Sequence, residues 1–226
     1  MNIKKIITVS ALALAVTASS VLAAGFTDTR GHWAENIIDE LAEKGIVSGI
    51  SADEFNPDGT VTRAEFYQMA FGAAGIEAVP YRDGECLDVK KTAWYANTIQ
   101  SALDRGLIPE SMIDDYSVEV VVDEDSSKAV YSGAFDAEKP ITREEMAYVA
   151  QASFQYGLGE DGLDELSIPL DLDFDDTPSI SAWAVNAVKH AFANELVAGM
   201  GDGTFAPHNT ATRAQAATII RNMIDR

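Results

Sequence analysis

Cysteine occurs once in the 226 residues, as Cys86. No disulfide can form within the chain, so stability rests on packing, and this thiol, in an apolar setting before Leu87, reads as a core residue rather than a nucleophile. Positive charge is scarce as well: 16 lysines and arginines face 36 aspartates and glutamates, a formal net charge of −20. A field of that sign repels nucleic acid and anionic lipid headgroups, and no nucleic-acid partner is expected. The three histidines, His32, His190 and His208, are scattered. There is no clustered metal-ligand spacing and no nucleophile motif, so the chain reads as a non-enzyme with no cofactor and no metal site. The abundant carboxylates leave a glycosidase-like acid pair open by count alone. Beyond the first two dozen residues, no run approaches the roughly 18 apolar residues that a membrane span needs.

The exception to that scarcity of apolar runs is the N-terminus. Lys4 and Lys5 precede an apolar stretch from Ile6 to about Ala18, and small residues follow at Ala23 and Ala24. This is the pattern of a secretory signal, expected to span 1–24 and to be cleaved after Ala23 or Ala24. Its removal takes the formal charge from −20 to −22. The mature chain is expected to be exported and to have no transmembrane segment.

What the chain has in plenty is self-similarity. Thr62-Arg63-Ala64-Glu65, Thr142-Arg143-Glu144-Glu145 and Thr212-Arg213-Ala214-Gln215 are versions of one motif, each with its arginine eight residues past a phenylalanine (Phe55, Phe135, Phe205). Recurrence in register means internal repeats. Unit one runs through Phe26, Asp28, Trp33, Gly45, Gly49, Phe55 and Pro57 to Arg63. Unit three runs through Phe174, Asp175, Trp183, Glu195, Gly199, Phe205 and Pro207 to Arg213. Tryptophan and arginine are 30 positions apart in both, and 49 apart in unit two, from Trp94 to Arg143. The surplus of unit two lies between Pro109 and Phe135. There Val118–Val122, a polar turn and Ala129-Val130-Tyr131 alternate like a small β-hairpin.

Each unit reads as helix, loop, helix. Trp33, Ile37, Ile38 and Leu41 have helical spacing, as do Trp94, Ile99 and Leu103, and Trp183, Val188 and Phe192. Gly45 and Gly106 would end the first two helices in a left-handed cap; Glu195 offers no such cap. The second helices follow Thr-Arg. A unit this small cannot bury its own apolar face, and three sharing one core is the economical solution.

Thr62 with Glu65, Thr142 with Glu145, and Thr212 with Gln215 fit capping boxes, which explains those six residues by folding alone. The arginines need another reason, since a cation at a helix start meets the positive end of the dipole. Two readings stand. Arg63 could pair with an acidic group such as Asp28 or Asp58. Alternatively, free backbone N–H groups at the helix start form an anion site to which arginine adds a bidentate fork for a carboxylate or phosphate. The tryptophans allow the same choice: core residues at this spacing, or plates for stacking on a sugar. Asp28, Asp88 and Asp175 precede the first helices and are expected to cap them or to be favourable partners of their dipoles. A calcium-loop pattern from Glu54 to Glu65 begins with Glu rather than Asp and carries Pro57 at its fourth position, so it fails the template.

An apolar or aromatic residue, Asp, Trp, a glycine-bearing turn, Phe-x-Pro and then Thr-Arg-Ala-Glu together resemble the S-layer homology domain. The resemblance covers nearly all of the mature chain. Unit two departs from it in lacking the Gly-x-Phe-x-Pro segment in one piece, and unit three has Gln215 for Glu. It implies a mainly α fold in which three helix-loop-helix repeats, at 25–79, 80–158 (with an insertion at about 110–134) and 168–226, form a three-pronged pseudo-trimer. It also implies non-covalent anchoring to the bacterial cell wall. The family's usual ligand is a secondary cell-wall polysaccharide carrying pyruvylated N-acetylmannosamine, held in grooves between repeats. By position, the implied ligand residues are Arg63, Arg143 and Arg213, with Trp33, Trp94 and Trp183 lining the grooves and Gly49 and Gly199 permitting close backbone approach. The insertion in unit two is expected to remodel the groove beside Arg143. A peptidoglycan-linked glycan is the related partner. Assembly with a surface-layer protein without direct glycan binding is the alternative, and the insertion and the acidic loop at 157–172 are where such a partner would be recruited.

Overall fold

The computed structural model describes residues 25–83, 86–122, 127–159 and 171–226. The expected signal segment, the polar turn of the insertion at 123–126 and most of the acidic loop lie outside the described residues. Among the described residues there are six α-helices and one two-stranded sheet. They follow in the order α1 (Glu35–Glu43), α2 (Arg63–Ala74), α3 (Ala96–Asp104), β1 (Asp114–Val122), β2 (Ser127–Ala134), α4 (Arg143–Gly157), α5 (Val185–Ala193) and α6 (Arg213–Ile224). The helical class expected from the sequence holds, and the surplus of unit two is an antiparallel hairpin with Val118 opposite Tyr131 and Val120 opposite Ala129.

The helices differ in how much of their surface they bury, for a reason visible in their side chains. In α1 only Ile38 and Leu41 are fully buried, the mark of a helix with one apolar stripe against the rest of the molecule. By contrast, α2 buries Arg63, Ala64, Phe66, Tyr67, Met69, Ala70 and Phe71, which point to several sides of the helix. It can do so because it packs against α3, α4 and α6, and α4 also packs against α6. The second helices of the units therefore pack on one another at the centre, and the first helices pack around them, α1 and α5 by one stripe and α3 with Ala96 and Thr98–Leu103 all buried.

The pairing of outer with inner helices crosses from one unit to the next. α3 packs on α2, α5 on α4, and α1 on α6. The Thr98 hydroxyl bonds the Gln68 amide oxygen at 2.6 Å, the Asn194 amide bonds that of Gln151 at 3.1 Å, and Arg221 of α6 pairs with Glu40 of α1 at 2.8 Å. Among the described residues, the two helices of one unit do not pack on each other to this extent.

The residues just ahead of the central helices close a ring. The Val61 N–H donates to the Ala211 carbonyl (3.2 Å), Ala211 to Ile141 (3.1 Å) and Ile141 to Val61 (3.0 Å). Val61, Ile141 and Ala211 are fully buried, so each of these backbone groups needs the partner it has.

Of the two readings open for the tryptophans, Trp33 and Trp94 follow the exposed one: both are 63% exposed, while their neighbours Ala34 and Tyr95 take the buried places. Other details differ from the sequence reading. None of α1, α3 and α5 has a side-chain cap. The aspartates instead grip the phenylalanine loops: Asp28 accepts from the N–H groups of Phe55 and Asn56, Asp88 from Phe135 and Asp136, and Asp176, not Asp175, from Phe205 and Ala206. These grips hold Asn56, Asp136 and Ala206 at positive φ (61°, 51° and 57°), where the chain turns sharply after the buried ring. Finally, Glu195 adopts the left-handed conformation (φ 55°) that Gly45 and Gly106 supply in the other units. The chain reversal after α5 imposes it regardless of the side chain.

Candidate functional site

The capping boxes are present at all three motifs. Thr62, Thr142 and Thr212 accept from the N–H of Glu65, Glu145 and Gln215, whose side chains reach back to the threonine N–H. The other expected feature, free N–H groups at the helix starts, is not what the structure has. Arg63 N–H donates to the Lys139 carbonyl, Arg143 to Asn209 and Arg213 to Gly59, while Ala64, Glu144 and Ala214 donate to Ala137, Pro207 and Pro57. The first turn of each central helix is therefore satisfied by a loop of another unit, and the dipole has no bare N–H groups left to offer an anion.

This arrangement answers why arginines stand at helix starts. Each guanidinium leaves its own helix and enters a nest of acceptors in the unit whose loop caps it. Arg63 bonds the carbonyls of Met112 (3.1 Å) and Phe135 (2.5 Å) and forks onto the Glu145 carboxylate (3.3 and 2.5 Å). Arg213 bonds the carbonyls of Phe55 and Ser48 (2.8 Å each) and the Glu65 carboxylate (2.9 Å). Arg143 bonds the carbonyls of Phe205 (2.7 Å) and Ala198 (2.8 Å). Each guanidinium also lies over the ring of Phe135, Phe55 or Phe205, 4.6–5.4 Å from the centroid. All three are buried, at 5%, 7% and 7% exposure for Arg63, Arg143 and Arg213.

Ion pairing thus holds for Arg63 and Arg213, but with Glu145 and Glu65 rather than with Asp28 or Asp58. Arg143 has no carboxylate within ion-pair distance among the described residues, because Gln215 stands where the other two units have glutamate. Burial lowers the pKa of both Arg143 and Arg213. Asp176 opposes that shift at Arg143; Glu65 and then Asp28 oppose it at Arg213.

A groove of about 220 Å³ opens over Arg143. Trp33 of unit one forms one wall, Gly199, Met200, Phe205 and Gln215 of unit three the others, and Arg143 of unit two the floor. The structure thus brings together Trp33, Arg143 and Gly199 of the expected site residues. Trp183 is half-buried against Tyr148, 5.8 Å between ring centres. Gly49 and Gly199 do permit close approach, but of the chain's own rings: a Cβ at Gly49 would stand 2.5 Å from Phe26, and one at Gly199 2.6 Å from Phe174.

The insertion is not beside Arg143. Its leading edge at Met112 holds Arg63, because each arginine reaches into the following unit, and the expectation for Arg143 is corrected accordingly. Sequence reasoning had assigned Gln215 to capping alone and passed over Met200, Thr218 and Asn222, which also line the groove. The one available signal was the departure from Glu in the third motif.

Comparison with known proteins bears on the same residues. The S-layer homology domain profile matches residues 25–66 and 173–217, which hold the first and third Thr-Arg motifs. Over 203 residues, 89% of the chain, it is 33% identical to an exoglucanase of Acetivibrio thermocellus and, over an equal span, 33% identical to an amylopullulanase of Thermoanaerobacterium thermosulfurigenes. It is 25% identical over 218 residues, 95% of the chain, to the surface-layer 125 kDa protein of Lysinibacillus sphaericus. The chain spans less than a fifth of each of these relatives, 16%, 10% and 16% of their lengths. The catalytic names therefore belong to proteins far longer than the part they share with it. No described helix is long and apolar enough to cross a membrane. The two matched regions, which carry the first and third capping boxes, Arg63 and Arg213, and the loops at Phe55 and Phe205, are S-layer homology domain sequence.

Proposed function

We propose that this protein is a non-covalent anchoring module of the bacterial cell surface, built of three repeats about a pseudo-threefold axis, which binds an anionic secondary cell-wall polysaccharide in the grooves between them. The observation that carries this reading is the composite groove in which Trp33, Arg143 and Gly199 meet from three different units. An exposed indole beside a buried guanidinium offers an apolar plate for a sugar face and a fork for a carboxylate such as a pyruvate ketal. The equivalent positions are Arg213 with Trp94 and Gly49, and Arg63 with Trp183. The module is itself a binder rather than a catalyst; the relatives named for polysaccharide hydrolysis would use the shared part to hold themselves at the surface.

Sedimentation of the protein with purified sacculi, before and after chemical removal of the secondary polysaccharide, tests this. Binding should vanish with the polysaccharide. Unchanged sedimentation would favour peptidoglycan or a protein receptor. A second reading, assembly with a surface-layer protein, is favoured by the hairpin, where Val118, Val120 and Val122 are exposed along β1. Removing the hairpin separates the two, since glycan anchoring does not need those valines.

A further inference from the structure

Resting on the anchoring reading above, we infer that one groove of the three takes the anionic group of the ligand, the groove floored by Arg143, and that Gln215 is the residue that selects it. The three arginines share a register and a nest of carbonyls but not a charge balance. Arg63 spends its Nε and Nη2 on Glu145 and its Nη1 on two carbonyls. Arg213 spends Nη1 on Glu65 and its other nitrogens on the carbonyls of Phe55 and Ser48. In both, a carboxylate of the chain already occupies the place an incoming carboxylate would take. Arg143 places Nε and Nη2 on carbonyls, and among the described residues its Nη1 has no partner. The side chain is 7% exposed and lines the groove.

The glutamine does more than omit a charge. In the capping box its Oε1 accepts the Thr212 N–H at 3.1 Å, as Glu65 and Glu145 do for their threonines. With the oxygen so committed, the remaining atom is the amide nitrogen, a donor. Among the described residues its one hydrogen-bond partner is the Met200 thioether at 4.0 Å, and sulfur is a weak acceptor. The groove is therefore lined by two side chains with donor capacity to spare, Arg143 through Nη1 and Gln215 through an Nε2 held only by a weak sulfur acceptor, and a carboxylate is a group that can accept from both. Asp176 does not fill the place. Its oxygens take the N–H groups of Phe205 and Ala206, as Asp28 takes those of Phe55 and Asn56 beside Arg213, so the aspartate is common to both sites and the glutamate is what differs. Trp33, 63% exposed on the wall, completes a seat for a sugar bearing its charge at one edge. At the equivalent positions Trp94 with Arg213 is exposed and Trp183 with Arg63 is half-buried against Tyr148; Glu65 and Glu145 already hold those arginines, so neither offers the same seat for a charged sugar.

The experiment is calorimetric titration of the mature protein with a methyl hexoside carrying a pyruvate ketal, and with the methyl ester of that probe. One site per molecule is expected for the acid, with at least tenfold weaker binding of the ester. Gln215→Glu, which supplies the carboxylate the other units have, should weaken acid binding at least tenfold with the melting temperature kept or raised. Glu65→Gln should create a second site, at Arg213 and Trp94. Two or three sites in the unmodified protein, no binding of the acid, or unchanged affinity in Gln215→Glu would each overturn the inference. Polysaccharide-dependent sedimentation with sacculi is read separately, so anchoring can stand while the choice of groove falls.

Discussion

At the residue scale, backbone conformation and burial make opposite demands on a few side chains. Glu195 and Ala206 hold left-handed φ values of 55° and 57°, which cost non-glycine residues roughly 1–2 kcal/mol. Replacing either by glycine removes that strain against a greater loss of chain entropy, so Glu195→Gly and Ala206→Gly should each stabilise the protein by about 0.5–1 kcal/mol, read from urea midpoints. Two aspartates pull the acid limb of stability in opposite directions. For Asp28, burial raises the pKa, but the N–H groups of Phe55 and Asn56 and the charge of Arg213 outweigh it, and the net shift is downward. Its contribution is present above the unfolded carboxylate value and lost as pH falls through the lower folded one. Asp39 is shifted upward by burial, then by Glu35 and Glu43, and its Oδ1 is buried without a partner among the described residues. It favours folding only while protonated, and that benefit is lost as pH rises from the unfolded value through the higher folded one. Melting curves between pH 2 and pH 7 should therefore show Asp28→Asn less stable at neutral pH with a flatter acid limb, and Asp39→Asn more stable at neutral pH.

At the scale of the elements, the three Thr-Arg helix starts are the decisive structures, and their differences predict different costs. Arg63 and Glu145 are both almost fully buried, so Arg63→Ala leaves a carboxylate without a counter-charge and should cost about 3–5 kcal/mol in chemical denaturation. Arg143→Ala orphans only two carbonyl bonds and should cost less, about 1–3 kcal/mol. Equal losses would mean that the carboxylate partner contributes nothing. Much of this was legible beforehand. The motif register, the capping boxes and the hairpin can be read from spacing, because they depend on residues near one another in the chain. The partners of the arginines could not be read so: Arg63 and Glu145 lie 82 positions apart, and Arg213 and Phe55 158. Nor could the exposure of Trp33 and Trp94, since indoles at helical spacing look the same whether they face the core or a groove.

At the scale of the whole molecule, each unit finishes its neighbour. α1 rests on α6, the buried ring of backbone bonds runs through Val61, Ile141 and Ala211, and Glu65 receives Arg213. A chain ending at residue 170 would lack α5 and α6, open that ring and bare the inner face of α1. It should show no cooperative thermal transition by circular dichroism; a sharp transition in that fragment would contradict the closed arrangement. By itself, the sequence determined that the protein is helical, repetitive, strongly acidic and built on three Thr-Arg helix starts, because these follow from composition and from interactions a few residues long. Only the tertiary structure decided what the arginines are for. Each reaches out of its own unit, so whether its charge is neutralised depends on a residue of the next one, and at Arg143 that residue is a glutamine.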